Sequence, residues 1–376
     1  MIFNRADILI PSTSVEMEKW SVIACDQHSS EPEYWDALDR FVGSAPSTLR
    51  MMLPEAYLAK DIRKETEAIH RVMRKYLESD VFAEVRDSYI YVERSLPSGV
   101  VRRGLVGLVD LDLYDYSRDS VSPIRATEGT VEERLPARVR IRNDAPLEMP
   151  HIMIFINDPK NCVFNNVEPG QVLYDFELNC GGGHLVGRQI TGASADKIDQ
   201  AFQQLTADAN AQYRETAPVV LAVGDGNHSL ATAKKCGDRY ALAEIVNIND
   251  ESIVFEPIHR VLFGTDTAEF VRQFGTQIVR MEKIDGEGYA ALIARTDKFC
   301  RDYLAVHGGT VDYIHNDDAA VEMGSRKNCA AILLPVLDKT TLFDSIVRDG
   351  PFPKKSFSIG HAEEKRYYLE CRKLGR

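Results

Sequence analysis

The stretch Val219–Lys235, VVLAVGDGNHSLATAKK, constrains the fold more than any other. Val219 to Val223 is a short β-branched apolar run, of the kind found in a strand covered on both faces. Gly224 and Gly226 permit positive φ and close backbone approach, and Leu230, Ala231, Ala233 and Lys234 suit a helix. A buried strand therefore enters a polar turn, Asp225-Gly226-Asn227-His228-Ser229, and leaves as a helix. The first turn of that helix has free N–H groups and the positive end of the dipole, which suits an anion. The competing reading is a plain connection in which Asp225 or Asn227 caps the helix.

A strand–turn–helix of this type needs an α/β setting. A chain of 376 residues, 44% of them hydrophobic, can build one with more than one folded unit. The formal net charge of −12 and pI near 5.3 argue against a partner held by nucleic-acid phosphates. Seven scattered cysteines with no C-x-x-C pair read as reduced thiols, with no metal expected. The N-terminus has no leader pattern and no apolar run approaches a membrane span, so the expected setting is cytoplasmic, with no membrane partner. Homo-oligomerisation is left open.

Other polar clusters lie where strands end. Trp20 to Ala24 reads as a strand followed by Asp26, Gln27 and His28, a second candidate cluster, or by a helix start at Ser30 and Pro32 with Tyr34, Trp35 and Leu38 turned inward. Lys60 to Leu77 reads as an amphipathic packing helix. Ser88 to Tyr116 reads as strands with a hairpin at Leu96-Pro97-Ser98-Gly99. Ser122 to Arg142 carries Arg125, Arg134, Arg138, Arg140 and Arg142, with Thr130 placed to cap a helix. Its guanidinium forks match phosphate or carboxylate oxygens, although a solvated helix laced by Glu and Arg pairs explains the same composition.

His151 to Ile156 and Gln171 to Leu178 read as strands, Gly181-Gly182-Gly183 as a hairpin or flap, and Ala193 to Tyr213 as a helix. Ala241 to Ile248 and Ile253 to Phe255 read as strands. The second ends in Glu256-Pro257-Ile258-His259-Arg260, so His259 and Arg260 are either ligand groups or a surface turn. Beyond a helix-rich stretch from Phe263, Val311–Ile314 and Ala330–Leu334 read as strands, and a proline turn presents Lys354 and Lys355. The division expected is 1–95, 96–262 and 263–376.

Four segments in this order resemble the family catalogued as domain of unknown function 1015: Arg125-Ala126-Thr127-Glu128-Gly129-Thr130, Asp225-Gly226-Asn227-His228, Pro257-Ile258-His259-Arg260 and Pro353-Lys354-Lys355-Ser356. The strand, turn and helix also resemble the ParB and sulfiredoxin superfamily, which includes a free serine kinase. That resemblance implies an α/β (α+β) fold with a ParB/sulfiredoxin-like mixed-sheet core carrying N-terminal and C-terminal additions. It also implies nucleotide phosphates at the turn. Asn227 stands where related members often carry histidine and Ser229 where they carry arginine, so one phosphate-binding cation is missing. Sulfiredoxin's reactive cysteine would fall at Asn227, which disfavours sulfinate reduction.

The expected function is a phosphotransferase acting on a small hydroxyl substrate such as free serine, with ATP or ADP and Mg2+. Asp225, Gly226, Asn227, His228 and Ser229 would hold phosphate, His228 taking part in the chemistry. Arg125, Thr130, Arg134, His259, Arg260, Lys354 and Lys355 would complete the binding groups, with Glu128 or Asp26 as general base. A non-catalytic sensor of phosphometabolites and a phosphomonoester hydrolase at the same site are the alternatives.

Overall fold

The computed structural model describes residues 1–376 except Ser30, Ala59, Lys60, Val131, Pro169, His361 and Arg376, and the side chains of Arg134 and Ala362. The chain is a mixed α/β protein of the α+β type. It divides into two compact units. The first comprises 1–126, 130–253 and 361–376, and the second comprises 127–129 and 254–360.

The first unit is built on an 11-stranded mixed sheet. From one edge the order is Val172–Glu177, His184–Ile190, Phe82–Ser95, Val101–Asp110, Tyr240–Asn247, Met153–Ile156, Leu221–Asp225, Ile124–Ala126 and Tyr114–Asp115. Phe3–Asn4 and Ala6–Pro11 pair off this path. Neighbours run antiparallel except around Met153–Ile156 and Ile124–Ala126, where parallel pairs occur. Side chains alternate between the faces, as the pleat requires. Ile90, Val92, Val106 and Leu242 join Ile69 and Met73 of the helix Ile62–Leu77 in one core. Tyr89, Tyr91, Leu105 and Ile245 join Ile198 and Phe202 of the helix Gly192–Gln212 in the other.

The second unit has Phe255–Phe263 at its centre, antiparallel to Thr310–His315 and Cys329–Leu333. Phe270, Cys300 and Tyr303 cover one face of that sheet, and Ala320 with Leu333 and Val261 packs on the other.

Several expectations shift. Only Val22–Ile23 of the Trp20–Ala24 run is strand, because Met17–Trp20 forms a helical turn. The expected helix starts at Ser30 and Lys60 lie outside the described residues. Thr130 caps no helix: its hydroxyl is buried without a partner among the described residues, and the helix Leu135–Arg142 follows a 3-10 turn at Glu132–Arg134. His259 and Arg260 sit inside a continuous strand rather than in a turn at its end. The boundary expected at 95/96 falls in a hairpin between two paired strands, and residues 361–376 return to the first unit.

Candidate functional site

The strand Leu221–Asp225 lies antiparallel to Met153–Ile156, with Val223 opposite Ile154 and Asp225 opposite Met153. The Asp225 end of that pairing is polar and the Leu221–Ile156 end apolar. The turn after it needs its glycines: a Cβ on Gly224 would come within 2.5 Å of the Phe155 ring, and Gly226 has φ of 81° beside Ile152. The helix Asn227–Lys235 then buries Leu230 and Ala233 in the sheet core. Its N-cap residue is Gly226, which has no side chain to offer the first turn. Asp225 accepts a hydrogen bond from the Gly226 N–H through one carboxylate oxygen, and its other oxygen lies 3.6 Å from the Lys365 ammonium.

His151 precedes the Met153–Ile156 strand and is 4% exposed. Its Nε2 is 3.7 Å from Asp26 Oδ2, and its Nδ1 is 2.9 Å from the Tyr368 hydroxyl. That hydroxyl donates to Cys25 Sγ at 3.0 Å, so its oxygen is left to accept from His151 Nδ1–H. Gln27 donates to Asp26 at 3.1 Å. Burial acts to lower the His151 pKa, but the Asp26 carboxylate outweighs it and the net shift is upward. Burial would likewise raise Asp26, yet His151, Gln27 and Lys365 hold it well below the usual carboxylate range. Each partner thus favours the charged form of the other. Burial, with Asp26 adding, pushes the Cys25 thiol up to about 11, which makes it a hydrogen-bond acceptor rather than a nucleophile.

Of these groups, His151, Tyr368 and Cys25 border a cavity of about 140 Å3, and Asp26 reaches it only through its contact with His151. Its lining also includes the half-buried Ser229 and the buried Thr232 of the helix Asn227–Lys235. Much of the remaining wall is apolar and rich in methionine. Arg138 and Arg142 also border the cavity, but Arg138 is paired with Glu55, and Arg142 with Glu148 and Asp238.

The residues expected from sequence fare unequally. Asp26, Asp225, Gly226, Asn227, His228 and Ser229 all lie in the first unit, and Asp26, Asp225 and Ser229 belong to the groups just described. The Asn227 side-chain oxygen is buried without a hydrogen-bond partner among the described residues. Arg125 is withdrawn from a phosphate role: it is 5% exposed and donates to the carbonyls of Ser122 and Ala217. The side chain of Arg134 lies outside the described residues.

Glu128, His259, Arg260, Lys354 and Lys355 belong to the second unit. Arg260 is fully buried, holds Asp297 with two nitrogens, and donates to the carbonyls of Ile258 and Lys355. His259 is equally buried, accepts from the Leu334 N–H and faces Asp317 at 3.0 Å. Both are structural, since neither presents an edge to a ligand. Glu128 accepts from the Ser356 N–H, while Lys354 and Lys355 are exposed.

Sequence reading missed His151, Lys365 and Tyr368. A signal existed for His151, a polar residue between Pro150 and an apolar run, but Lys365 and Tyr368 have no local mark.

No curated protein matches the chain. Among solved structures, a free serine kinase in complex with AMP aligns over 70% of this chain and 90% of its own, at 10% identity and a TM-score of 0.37. A conserved hypothetical protein from Pyrococcus furiosus aligns over the same shares at 11% identity and a TM-score of 0.32. SbnI with a C-terminal truncation, from Staphylococcus aureus, aligns over 72% and 84% at 10% identity and a TM-score of 0.33. A family profile matches residues 9–373, nearly the whole sequence, and the chain belongs to that family, described as Protein of unknown function (DUF1015).

Proposed function

We propose that this protein is a phosphotransferase acting on a small hydroxyl substrate, free serine being the first candidate, with ATP or ADP as phosphate donor. The observation that carries this reading is that His151, the partner of Asp26, and the first turns of a helix line one cavity. His151, which holds Asp26, lines this cavity, as do Ser229 and Thr232 of the helix Asn227–Lys235, whose N-cap residue is Gly226. The transferring phosphate would lie against the N–H groups of that helix, with Lys365 and the His151 imidazolium offsetting its charge.

The acceptor hydroxyl gives up its proton late in a loose transition state, so a carboxylate of low basicity such as Asp26 suffices. Tyr368 fixes the imidazole ring so that Nε2 faces Asp26. The methionine-rich wall suits the flat, apolar face of a nucleobase. Asp26 and Asp225 are engaged by His151 and Lys365, and no group of three metal-ligating side chains occurs among the described residues. Mg2+ therefore fits here only as an ion carried mainly on phosphate oxygens, where it would neutralise their charge. A core of the ParB/sulfiredoxin type is part of this proposal.

Incubation with serine, Mg2+ and ATP or ADP should yield phosphoserine, detected by 31P NMR or mass spectrometry. Asp26→Asn should lower turnover by about 10²-fold or more while nucleotide binding persists. Absence of turnover with every small hydroxyl acceptor and both donors removes the reading. A non-catalytic phosphometabolite sensor is favoured by one observation, the commitment of Arg125, Arg138 and Arg142 to protein partners. Calorimetry showing tight binding without turnover, unaltered by Asp26→Asn, would establish it.

A further inference from the structure

The first unit contains a second, smaller cavity of about 20 Å3, bordered by Arg94, Arg102, Glu244, Arg366 and Glu370, by the Tyr367 ring 5.1 Å from the Arg94 guanidinium, and by aliphatic side chains. All five charged residues are at most 5% exposed. Their pairing is uneven. Arg366 bonds Glu244 and Glu370, each at 2.6 Å, and is fully matched. Arg94 directs five hydrogen bonds at carbonyls only, those of Gly182, Glu363, Glu364 and Lys365. Among the described residues, Arg102 donates to the Glu364 carbonyl alone, and its Nε, sealed from bulk water, has no partner.

Neither Arg94 nor Arg102 has a carboxylate within ion-pair distance among the described residues. The half-buried Glu364 carboxylate acts on both guanidinia only from a distance. Three cations thus border the cavity against two anions. Burial, then the neighbouring Arg102, pushes Arg94 down to about 9, which marks the charge as poorly compensated. A guanidinium does not shed its proton to relieve this, so the local structure calls for a counter-charge. Gly104 reinforces the arrangement, because any Cβ there would overlap the Glu244 carboxylate and displace it from Arg366.

We propose that this cavity is a binding site for one small monovalent anion of chloride size, held by the Arg102 Nε–H and by the charge of Arg94, whose own N–H groups are taken up by carbonyls. Water would satisfy the Arg102 Nε but would leave the charge uncompensated. A space of ~20 Å3 admits about one water-sized particle, which excludes phosphate and carboxylate metabolites. The site also has a structural consequence. Arg94 and Arg102 grip the backbone of Glu363, Glu364 and Lys365, so the anion would stiffen the segment that brings Lys365 to Asp225 and Tyr368 to the larger cavity.

The test needs no substrate. Purified full-length protein is melted in sodium gluconate and in sodium chloride at equal ionic strength. A crystal of the same protein is soaked in sodium bromide and measured at the bromine edge. Chloride should raise Tm saturably by roughly 2 °C or more over gluconate, and Arg102→Gln should lose that response. An anomalous peak between Arg94 and Arg102 supports the site. Its absence overturns it whatever the melting curves show, and so does a chloride response that survives in folded Arg102→Gln. Should Arg102→Gln fail to fold, the bromide map of the wild-type protein decides alone.

Discussion

His151 and Tyr368 meet at 2.9 Å through imidazole Nδ1 and phenol oxygen, although 217 positions separate them in the chain. This contact leaves the other ring nitrogen to face Asp26, and it sets the pH behaviour of the pair. The raised pKa of His151 means that its pairing stabilises the fold fully below the ordinary value of 6.5. That contribution is lost as pH rises through the folded value. The lowered pKa of Asp26 gives a contribution present above its ordinary 3.8 and lost as pH falls through the folded value. The stability difference between wild type and Asp26→Asn should therefore be largest between about pH 4 and 6.5 and shrink at alkaline pH. Urea denaturation at pH 5.5 and pH 9 checks this, and His151 should titrate lower in the variant by NMR.

Tyr368→Phe removes a hydroxyl that serves His151 and Cys25 at once. A buried imidazole N–H is left without its acceptor, at a cost of about 1–3 kcal/mol. Chemical denaturation should show that loss. Turnover should fall through misorientation of the ring, and KM should change less than kcat.

The turn glycines differ in what they forbid. Gly224→Ala pushes a methyl group into the Phe155 ring, a packing clash costing about 1–3 kcal/mol. Gly226→Ala forces a left-handed backbone on a residue with a side chain, at about 1–2 kcal/mol, and brings that side chain against Ile152. Both should lower Tm. Gly226→Ala should in addition weaken nucleotide or phosphate binding, read by calorimetry, because it displaces the helix start itself.

Asp297→Asn tests the structural role of Arg260. The substitution leaves a fully buried guanidinium without its carboxylate, a loss of about 3–5 kcal/mol measurable by denaturant unfolding. Under conditions where the variant remains folded, phosphate affinity should match the wild type, since Arg260 offers no edge to a ligand.

The strand–turn–helix at Val219–Lys235 was legible because local forces dictate it: an apolar run, two glycines with distinct steric duties, then small helix formers. The same holds for the helix Ile62–Leu77 and for the Leu96–Gly99 hairpin. Arg260 was not legible, because its partner Asp297 lies 37 positions away on a helix of the second unit, and nothing near Arg260 marks a buried ion pair. Lys365 and Tyr368 were hidden for a related reason. Tyr368 is placed by pairing of Tyr367–Tyr368 with Val22–Ile23, a contact between remote segments that no local pattern announces. His151 was read as the start of a strand, whereas the strand begins at Met153 and leaves the imidazole at its mouth.

That pairing of remote segments also bears on how the protein is made. The Trp20 indole donates to the Leu369 carbonyl across 349 positions, and Leu9 bridges Cys371. The second unit lies in sequence between the two partners of these contacts. During translation the Trp20 indole N–H and the edge of the Val22–Ile23 strand must therefore wait unpaired until the ribosome has synthesised the whole of the second unit and the segment after it. Nascent chains halted before residue 367 should be rich in chaperone contacts, and the cavity beside His151 should close only on their completion.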